Sequence, residues 1–442
     1  MDRQKIIIMG AAGRDFHNFN MVYKKDPSFE VVAFTAAQLP YIGGRTYPPE
    51  LSGPLYPEGI RIFPEEQLGL LITTHSVNQV VFAYSDVSHE YLMHKASLCL
   101  SLGADFIMLG PDKTMLKSRK PVISVCAVRT GCGKSGVSAY ISGILKGRGA
   151  APVVIRHPMP YGRTISGSVR RYAGPADLAG CNCTIEEREE YEPLVDAGVV
   201  VYSGVECGAV LAEAEKEGAV IVWDGGNNDM SFIKPDLEIV VLDPHRPGHE
   251  LSYHPGETNL RRADIAVINK VDTADREKIE AVEENVRRIN PEAFIVHTAS
   301  KITVENSEKI RGRKVLVVED GPTLTHGGMP YGAGYIAAGR AGAAEIVDPR
   351  PYSTGSIKEI FLAYPHMGNI IPATGYAPEQ MAELRETIEA VPCDVVLIAT
   401  PVDLGALLKL EHEVCRVRYK IEEPGNLELK GCIEGFADSR FQ

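Results

Sequence analysis

One stretch decides the fold of this chain: Val122-Ile-Ser-Val-Cys-Ala-Val-Arg-Thr-Gly-Cys-Gly-Lys-Ser135. An apolar, β-branched segment runs into a glycine-rich turn, and a helical pattern follows over Ser135–Gly147. Strand, glycine-rich loop and helix in this order are the context that a phosphate-binding loop requires. Its glycines let backbone N–H groups point at phosphate oxygens, and the start of the helix adds partial positive charge. We therefore predict a nucleoside triphosphate site on this loop.

Each residue type in the loop has a chemical role. Lys134 is expected to reach the β- and γ-phosphates, and the Ser135 hydroxyl to contact Mg²⁺. Val128 stands where the usual pattern has a further glycine, so a tight strand-to-helix turn with a solvated Lys134 is the alternative. The predicted nucleotide contacts in this loop are Arg129, Thr130, Gly131, Cys132, Gly133, Lys134, Ser135 and Gly136.

A second apolar segment, Val220–Asp224, ends in an acid that two glycines follow. A carboxylate at the tip of a strand suits the Mg²⁺ site of a nucleoside triphosphatase. We predict that Ser135 and Asp224 hold the metal. The alternative is that Asp224 only caps the next turn.

A third segment, Ile265–Asp272, ends in Asn269-Lys-x-Asp272. The aspartate can accept two N–H bonds from a guanine edge, and Lys270 can lie along the base plane. The motif therefore favours GTP, although ATP stays open. The alternative is a helix N-cap made by Asp272 or Thr273.

The strand and helix patterns alternate along the chain. Continuous apolar runs are typical of parallel strands covered on both faces, so we predict a doubly wound α/β fold with two sheets. Helices are predicted at Ser135–Gly147, Asp275–Arg288 and Ala377–Ala390. The predicted strands are Lys5–Met9, Val31–Phe34, Gln79–Tyr84, Ala104–Leu109, Val122–Val128, Val153–Arg156, Val199–Tyr202, Val220–Asp224, Glu238–Leu242, Ile265–Asn269, Phe294–His297, Lys314–Glu319 and Val395–Thr400.

These patterns divide the chain into three parts. A Rossmann-like N-terminal domain is expected over residues 1–118, and a larger P-loop domain over 119–415. Residues 416–442 are predicted to form a short strand and an irregular tail.

Composition excludes several classes of protein. Of 442 residues, 44% are hydrophobic and 24% charged, as in ordinary globular proteins. No apolar run is long enough for a membrane helix and no secretory signal is recognisable, so we expect a cytoplasmic protein. The net charge of −12 argues against an extended nucleic-acid partner. Nine scattered cysteines favour reduced thiols over a disulfide framework.

The loop, Asp224-Gly-Gly226 and Asn269–Asp272 together resemble the class of P-loop nucleoside triphosphatases that contains the signal recognition particle GTPases, the MinD/Mrp ATPases and dethiobiotin synthetase (the SIMIBI class). Arg129 occupies the position of the signature lysine of the MinD branch, which implies a phosphate-bridging role. The wider chain resembles cyclic 2,3-diphosphoglycerate synthetase and its related predicted GTPases. That likeness rests on Gly10-Ala-Ala-Gly-Arg-Asp-Phe-His17, Arg156-His-Pro-Met-Pro-Tyr-Gly162, Thr184-Ile-Glu-Glu-Arg-Glu-Glu-Tyr-Glu192, Asp243-Pro-His-Arg-Pro-Gly-His249, Tyr253-His-Pro-Gly-Glu257 and Glu319-Asp-Gly-Pro-Thr-Leu-Thr-His326.

The resemblance implies a Mg²⁺-dependent ligase that couples hydrolysis of ATP or GTP to ring closure in a small phosphorylated acid. In that mechanism one phosphate of 2,3-diphosphoglycerate takes the γ-phosphoryl group, and the second phosphate then expels inorganic phosphate to give cyclic 2,3-diphosphoglycerate. A regulatory or chaperone-like GTPase, which the Asn-Lys-x-Asp motif favours, is the alternative. The partner is expected to be a small molecule, and a homodimer is left open.

Basic residues at strand ends are the candidate substrate contacts, because ligands of parallel sheets bind beyond the carboxyl ends of strands. Arginine clamps phosphate or carboxylate in a bidentate manner, and histidine adds proton transfer. A solvated basic surface or a structural loop is the alternative. The predicted catalytic residues are Lys134, Asp224, Arg156 and His157, and the predicted substrate contacts are Arg14, Arg156, His157, Arg163, His245, Arg246 and His249.

Cys181 and Cys183 lie close together, but no second pair stands at zinc-finger spacing, so we predict thiols and not a metal site. Thr184-Ile-Glu-Glu187 just after them is a capping box that opens a helix. Its acidic first turn is interpreted as solvated charge that suits the helix dipole, with a ligand or base in a closing lid as the alternative.

Overall fold

The computed structural model describes residues 3–441 except 12, 38–43, 158–168, 182, 184, 227–228, 326 and 374–377. Three sheets rich in parallel strands follow one another along the chain. The predicted α/β class, with a Rossmann-like unit ahead of a P-loop sheet, is confirmed. Among the described residues, no helix combines the length and apolar character needed to cross a membrane.

The N-terminal sheet is built on short β-branched strands, whose order is β3-β4-β2-β1-β5-β7. Its centre is fully buried, because the strand at Gln4–Met9 is covered by helices on both faces. The strands of this region are β1 (Gln4–Met9), β2 (Phe29–Ala36), β3 (Thr46–Tyr47), β4 (Ile60–Pro64), β5 (Gln79–Phe82), β6 (Val87–Ser88) and β7 (Asp105–Met108).

The second sheet has eight strands in the order β10-β11-β9-β12-β8-β13-β15-β16, and only β10 runs antiparallel to its neighbour. The strand before the glycine-rich loop, β8, lies between β12 and β13 and is buried along its whole length. The strands of this region are β8 (Val122–Ala127), β9 (Pro152–Arg156), β10 (Arg170–Tyr172), β11 (Val200–Ser203), β12 (Val220–Trp223), β13 (Leu237–Leu242), β14 (Tyr253–His254), β15 (Ile265–Ile268) and β16 (Phe294–His297).

A third sheet corrects the prediction of two sheets. Its order is β17-β22-β21-β18-β19, with β20 also paired to β18, and all its strands except β22 lie inside the range predicted as one P-loop domain. The pairing of β17 with β22 is antiparallel and joins segments more than a hundred residues apart. The strands are β17 (Ala299–Val304), β18 (Lys314–Asp320), β19 (Glu345–Ile346), β20 (Ile371–Ala373), β21 (Val395–Ala399) and β22 (Val414–Glu422).

Helices cover both faces of the sheets. All three predicted helices are present within a few residues of their expected bounds. The α-helices are α1 (Arg14–Asn18), α2 (Pro49–Ser52), α3 (Leu68–His75), α4 (His89–Ser101), α5 (Lys134–Gly147), α6 (Pro175–Ala179), α7 (Ile185–Asp196), α8 (Cys207–Glu217), α9 (Gly256–Arg262), α10 (Arg276–Ile289), α11 (Gly321–Leu324), α12 (Ala333–Arg340), α13 (Gly355–Ala363), α14 (Pro378–Ala390), α15 (Leu404–Leu408) and α16 (Glu428–Phe441).

The C-terminal tail is helical, and the prediction of an irregular tail is wrong. Leu429, Ile433 and Ala437 recur at helical spacing on one face of α16 and are buried. They belong to the same apolar core as the helix that follows the glycine-rich loop, α5. The tail thus returns to the second sheet after the chain has completed the third.

Cys181 and Cys183 are joined by a disulfide, which corrects the prediction of free thiols. Their Cα atoms are 5.2 Å apart in the turn between α6 and α7, within the range that a disulfide spans. Spacing alone could not reveal this, because the turn brings the two side chains together. The other seven cysteines are free.

The N-terminal domain packs firmly on the P-loop domain. Strands β6 and β14 pair across the boundary, and the His17 ring stacks on Phe232 with centroids 4.0 Å apart. Arg14 lies over the same Phe232 ring and donates hydrogen bonds to Thr114 and to the carbonyl of Met230. This contact fixes the loops of the N-terminal domain beside the nucleotide site.

Asp229 makes this boundary sensitive to pH. Burial, opposed by Arg14 and reinforced by Asp15, raises the pKa of Asp229 from 3.8 to about 7. The folded chain therefore holds this proton more tightly than the unfolded chain, so the free energy of unfolding falls as the pH rises through this interval. Between pH 4 and pH 8, we expect the free energy of unfolding of the wild type to fall by on the order of 2–4 kcal/mol more than that of Asp229→Asn. Urea unfolding at both pH values measures the difference, and identical pH profiles for the two proteins would contradict the assignment.

Candidate active site

The glycine-rich loop between β8 and α5 has the backbone of an anion-binding turn. Gly131 and Gly133 have φ angles of +82° and +98°, which residues with side chains rarely adopt. A Cβ on Gly133 would lie 2.3 Å from Nδ2 of Asn269. The loop sequence is thus dictated by conformation and by close packing.

Gly133→Ala is expected to weaken nucleotide binding strongly, since both the positive φ and the contact with Asn269 oppose a methyl group. A loss on the order of 1–3 kcal/mol, or about 5- to 150-fold in affinity, follows from the strain alone. Gly208→Ala is the matched control, because this glycine lies in α8 with nothing within 4 Å of the added carbon. Nucleotide titration of both variants checks the result, and equal affinities would contradict it.

Three charged side chains meet at the tip of β12. Asp224 is fully buried and accepts from Nζ of Lys134 at 2.6 Å, while its other oxygen accepts from Arg156. Burial alone would raise the pKa of Asp224, but Arg156 and Lys134 outweigh it and lower that pKa. The carboxylate is therefore held ionised between two cations at the start of α5.

The donor set fits a magnesium ion. Nη1 of Arg156 lies 3.3 Å from the Ser135 hydroxyl oxygen and also contacts the Asp224 carboxylate, so positive charge is already stabilised beside both oxygens. Mg²⁺ in phosphate-binding sites takes one or two protein oxygens and completes its shell with phosphate and water. Ser135 and Asp224 would therefore hold it, as the sequence predicts.

Asn269 and Lys270 stabilise the glycine-rich loop by hydrogen bonds to its backbone. The Asn269 amide donates to the carbonyl of Cys132 at 2.9 Å, and Lys270 donates to the carbonyl of Gly131 at 2.5 Å. Asp272 is exposed and accepts a hydrogen bond from the Ser300 amide. Two residues of the Asn-Lys-x-Asp motif thus support the loop conformation, which any bound nucleotide requires.

Asp243 organises the loop after β13. It accepts from Lys270 at 2.8 Å and from Arg246 at 3.1 Å, and these cations lower its pKa although burial opposes them. Arg246 also donates to the carbonyl oxygens of Thr130 and Gly327. His245 bonds to the hydroxyl of Thr273. Arg246 therefore connects the glycine-rich loop to the third sheet.

Arg129 is tied to the N-terminal domain. Its Nε donates to Asp86 at 2.5 Å, its Nη1 lies 2.6 Å from the His249 ring, and its guanidinium lies over the Tyr253 ring. Burial, together with Arg129, lowers the pKa of His249 to about 4. His249 is therefore neutral near pH 7 and orients Arg129 at the mouth of the site.

The structure places two of the predicted substrate residues, Arg14 and His157, away from the cavity beside the loop. Arg14 and His157 are buried at the domain boundary, where both contact the Phe232 ring. Arg163 lies outside the described residues. Neither Arg14 nor His157 borders the cavity, whereas Arg156, His245, Arg246 and His249 do.

A cavity of about 1330 Å³ opens between the glycine-rich loop and the carboxyl ends of β18 and β21. Sequence analysis missed the residues on its far wall, which are Glu319, Asp320, Thr323, Tyr331 and Tyr419. The pattern Glu319–His326 contributes to the family likeness, and the loop Gly321–Gly328 is expected from the sequence to complete the site or the nucleotide base pocket, but no single side chain stands out there. Because the third sheet was not predicted, nothing placed these residues opposite the loop.

This fold and this site define a P-loop protein of the α/β class. The family model for the cyclic 2,3-diphosphoglycerate synthetase P-loop domain matches residues 195–299. Arginine synthetase ArcE of Thermococcus kodakarensis is 56% identical over 98% of this chain and 97% of its own length. The chain belongs to the family of ArcE, and the predicted kinship with the cyclic 2,3-diphosphoglycerate synthetases is confirmed.

Two further proteins resemble parts of the chain. Cyclic 2,3-diphosphoglycerate synthetase of Thermococcus sibiricus is 29% identical over 28% of each chain. LpxK of Aquifex aeolicus, solved with ATP, is 16% identical with a TM-score of 0.45 and covers 83% of this chain and 99% of its own. The sequence comparisons support a P-loop synthetase.

Proposed function

We propose that this chain is a Mg²⁺- and ATP-dependent synthetase that forms arginine. The observation that carries the proposal is the convergence of Lys134, Asp224 and Arg156 beside a cavity large enough for a nucleotide and a second substrate. The likeness to ArcE over nearly the whole chain supports arginine as the product.

The chemistry of arginine explains the need for a P-loop. Its guanidinium carbon carries three nitrogens, so a precursor that has oxygen on this carbon must lose that oxygen. Phosphorylation by the γ-phosphoryl group converts the oxygen into part of a leaving group, and a nitrogen nucleophile can then displace phosphate. The proposed reaction is therefore phosphoryl transfer followed by substitution at carbon.

The residues around the tip of β12 have separate roles in phosphate binding, metal binding and phosphoryl transfer. Lys134 neutralises the β- and γ-phosphates, and the loop N–H groups hold their oxygens. Ser135 and Asp224 hold Mg²⁺, which supplies further neutralisation of the transferred charge. Arg156, buried between Asp224 and Glu190, stabilises negative charge on the transferred group and orients it toward the second substrate.

Arg156→Ala is expected to lower kcat by about 10²- to 10³-fold while nucleotide affinity is retained, because its charge acts on the transferred group and not on the nucleoside. Arg171→Ala is the control, since this arginine pairs with Glu217 on the exposed edge of the sheet. Steady-state kinetics with nucleotide titration separate the two effects. Loss of nucleotide binding with unchanged turnover at saturation would contradict this assignment.

Formation of cyclic 2,3-diphosphoglycerate is the second candidate. The match of residues 195–299 to the corresponding P-loop domain favours it, as do the cationic side chains around the loop. In the Asn-Lys-x-Asp motif, Asn269 and Lys270 hold the loop, whereas Asp272, the residue expected to bind a guanine edge, is exposed and accepts a hydrogen bond from the Ser300 amide.

The test is a product assay with the full chain, Mg²⁺ and either ATP or GTP. One reaction contains ammonium and L-citrulline, which is arginine with one guanidinium nitrogen replaced by oxygen, and the other contains 2,3-diphosphoglycerate. We expect nucleotide-dependent arginine in the first reaction and no cyclic product in the second. Cyclic product without arginine would favour the second candidate and overturn the first.

A further inference from the structure

The wall of the cavity away from the loop carries acidic side chains, whereas the loop carries the basic side chains of Arg129 and Lys134. The carboxyl end of β18 supplies Glu319 and Asp320, and helix α7 adds Glu189. Thr323 connects this wall to the loop, because a Cβ on Gly131 would lie 3.2 Å from it. The acidic wall, defined as Glu189, Glu319 and Asp320, thus borders the same cavity as the glycine-rich loop.

One carboxylate oxygen of Glu319, Oε2, is a candidate acceptor for a hydrogen bond from a ligand. Its side chain is only 2% exposed and borders the cavity, and its Oε1 accepts from the Tyr335 amide at 2.7 Å. Its Oε2 is buried and no donor among the described residues lies at hydrogen-bond geometry to it, while the backbone N–H groups of Gly332 and Gly334 also stabilise the carboxylate. A buried carboxylate oxygen left in this state costs stability unless a donor arrives. Burial, opposed by the backbone N–H of Tyr335, raises the pKa of Glu319 to about 7.

Asp320 and Glu189 form a second acidic pair in the same wall. Thr323 donates its hydroxyl proton to Asp320 at 2.7 Å, and Glu189 is close enough to Asp320 to influence the pKa of that carboxyl. Two adjacent carboxyl groups must share a proton unless a cation neutralises them. Tyr419, which is 38% exposed, borders the cavity close to this pair, and Asp320 and Glu189 both act to raise its pKa.

The chemistry of the wall favours an organic cation over a metal ion. Across the described ranges, no group of three or more His, Cys, Asp and Glu side chains is arranged to hold a metal. Carboxylates beside an aromatic ring are instead suited to the several N–H donors of an ammonium or guanidinium group.

We propose that Glu319, with the Asp320–Glu189 pair, is the subsite that binds the cationic group of the amino-acid substrate or product. The inference rests on the proposed function and adds to it the residues that recognise the second substrate. When the α-ammonium group of the substrate binds to the acidic wall, the reacting oxygen at the other end of the side chain can face the loop across the cavity. A polyanion such as 2,3-diphosphoglycerate would meet repulsion at this wall.

The test uses Glu319→Gln and Asp320→Asn in the full chain, because both changes remove charge and keep shape. L-Arginine and L-citrulline are titrated calorimetrically, and ATP is titrated to verify that each variant folds and keeps its loop. Glu359→Gln, exposed on α13 of the third sheet, is the matched control. We expect arginine affinity to fall about 10- to 100-fold in both variants, with ATP affinity unchanged.

The two titrants distinguish the cations. Equal losses for arginine and citrulline assign the wall to the α-ammonium group, and a loss for arginine alone assigns it to the guanidinium group. If wild type binds arginine and both variants bind it equally well, the subsite is overturned and the proposed function stands. If wild type binds neither amino acid, the proposed function fails and the subsite fails with it.

Discussion

Lys134→Ala is expected to lower kcat/KM for the nucleotide-dependent reaction by about 10²- to 10³-fold, or about 3–4 kcal/mol of transition-state stabilisation. The ammonium group of Lys134 contacts the Asp224 carboxylate, with Nζ and Oδ1 2.6 Å apart. In a P-loop this group stabilises the charge that develops on the transferred phosphoryl group. Alanine removes that charge and leaves the loop backbone in place.

The measurement is steady-state kinetics with nucleotide as the varied substrate. Lys146→Ala is the matched control, because this lysine is on the exposed last turn of the same helix and donates only to the carbonyl of Gly198. The control is expected to keep wild-type kinetics. Full activity in Lys134→Ala would overturn the assignment of the phosphate-binding loop.

Asp224→Asn is expected to reduce both stability and activity. The change leaves Lys134 and Arg156 in a buried site without their shared anion, and breaking a buried pair in this way costs about 3–5 kcal/mol. The amide is also a poor ligand for Mg²⁺, so the magnesium concentration needed for half-maximal rate should rise. Activity at saturating magnesium is expected to fall by about 10²-fold or more.

Denaturant unfolding and a magnesium titration of the rate check the two effects separately. Asp438→Asn is the control, since its partner Arg148 forms an ion pair on the surface and such pairs contribute about 0–1 kcal/mol. An Asp224→Asn protein with wild-type stability and wild-type magnesium dependence would contradict the proposed role.

Much of the nucleotide site could be predicted from sequence because its signals are local. A buried strand, two glycines with positive φ and a helix start within fourteen residues at Val122–Ser135. The tips of β12 and β15 were recognised for the same reason. Each motif directly follows a strand of the same parallel sheet. Because the carboxyl ends of parallel strands lie at one edge of the sheet, the motifs are expected to lie close together.

The third sheet escaped prediction because its defining contacts are remote. Strand β17 pairs with β22 across more than a hundred residues, and neither has a continuous apolar run. The acidic wall therefore could not be placed, although Glu319 stands at the end of a predicted strand. The Cys181–Cys183 disulfide and the C-terminal helix α16 were not predicted for a similar reason, because both depend on tertiary packing and not on a local sequence signal.

Arg14 illustrates the opposite error. A glycine-rich loop followed by arginine suggested an anion site, yet the guanidinium is used in contacts with Phe232, Thr114 and the carbonyl of Met230. A charged side chain at a domain boundary has the same sequence signature as one at a ligand site. Only the packing of the two domains distinguishes them.

We propose that one active site couples nucleotide cleavage at the loop to arginine formation in the cavity. The most direct measurement is the ratio of arginine formed to nucleotide consumed by the purified full chain with Mg²⁺, ATP, ammonium and L-citrulline. We expect one arginine for each ATP cleaved, with both rates falling together in Lys134→Ala. Steady ATP cleavage that needs no amino acid and yields no arginine would contradict it.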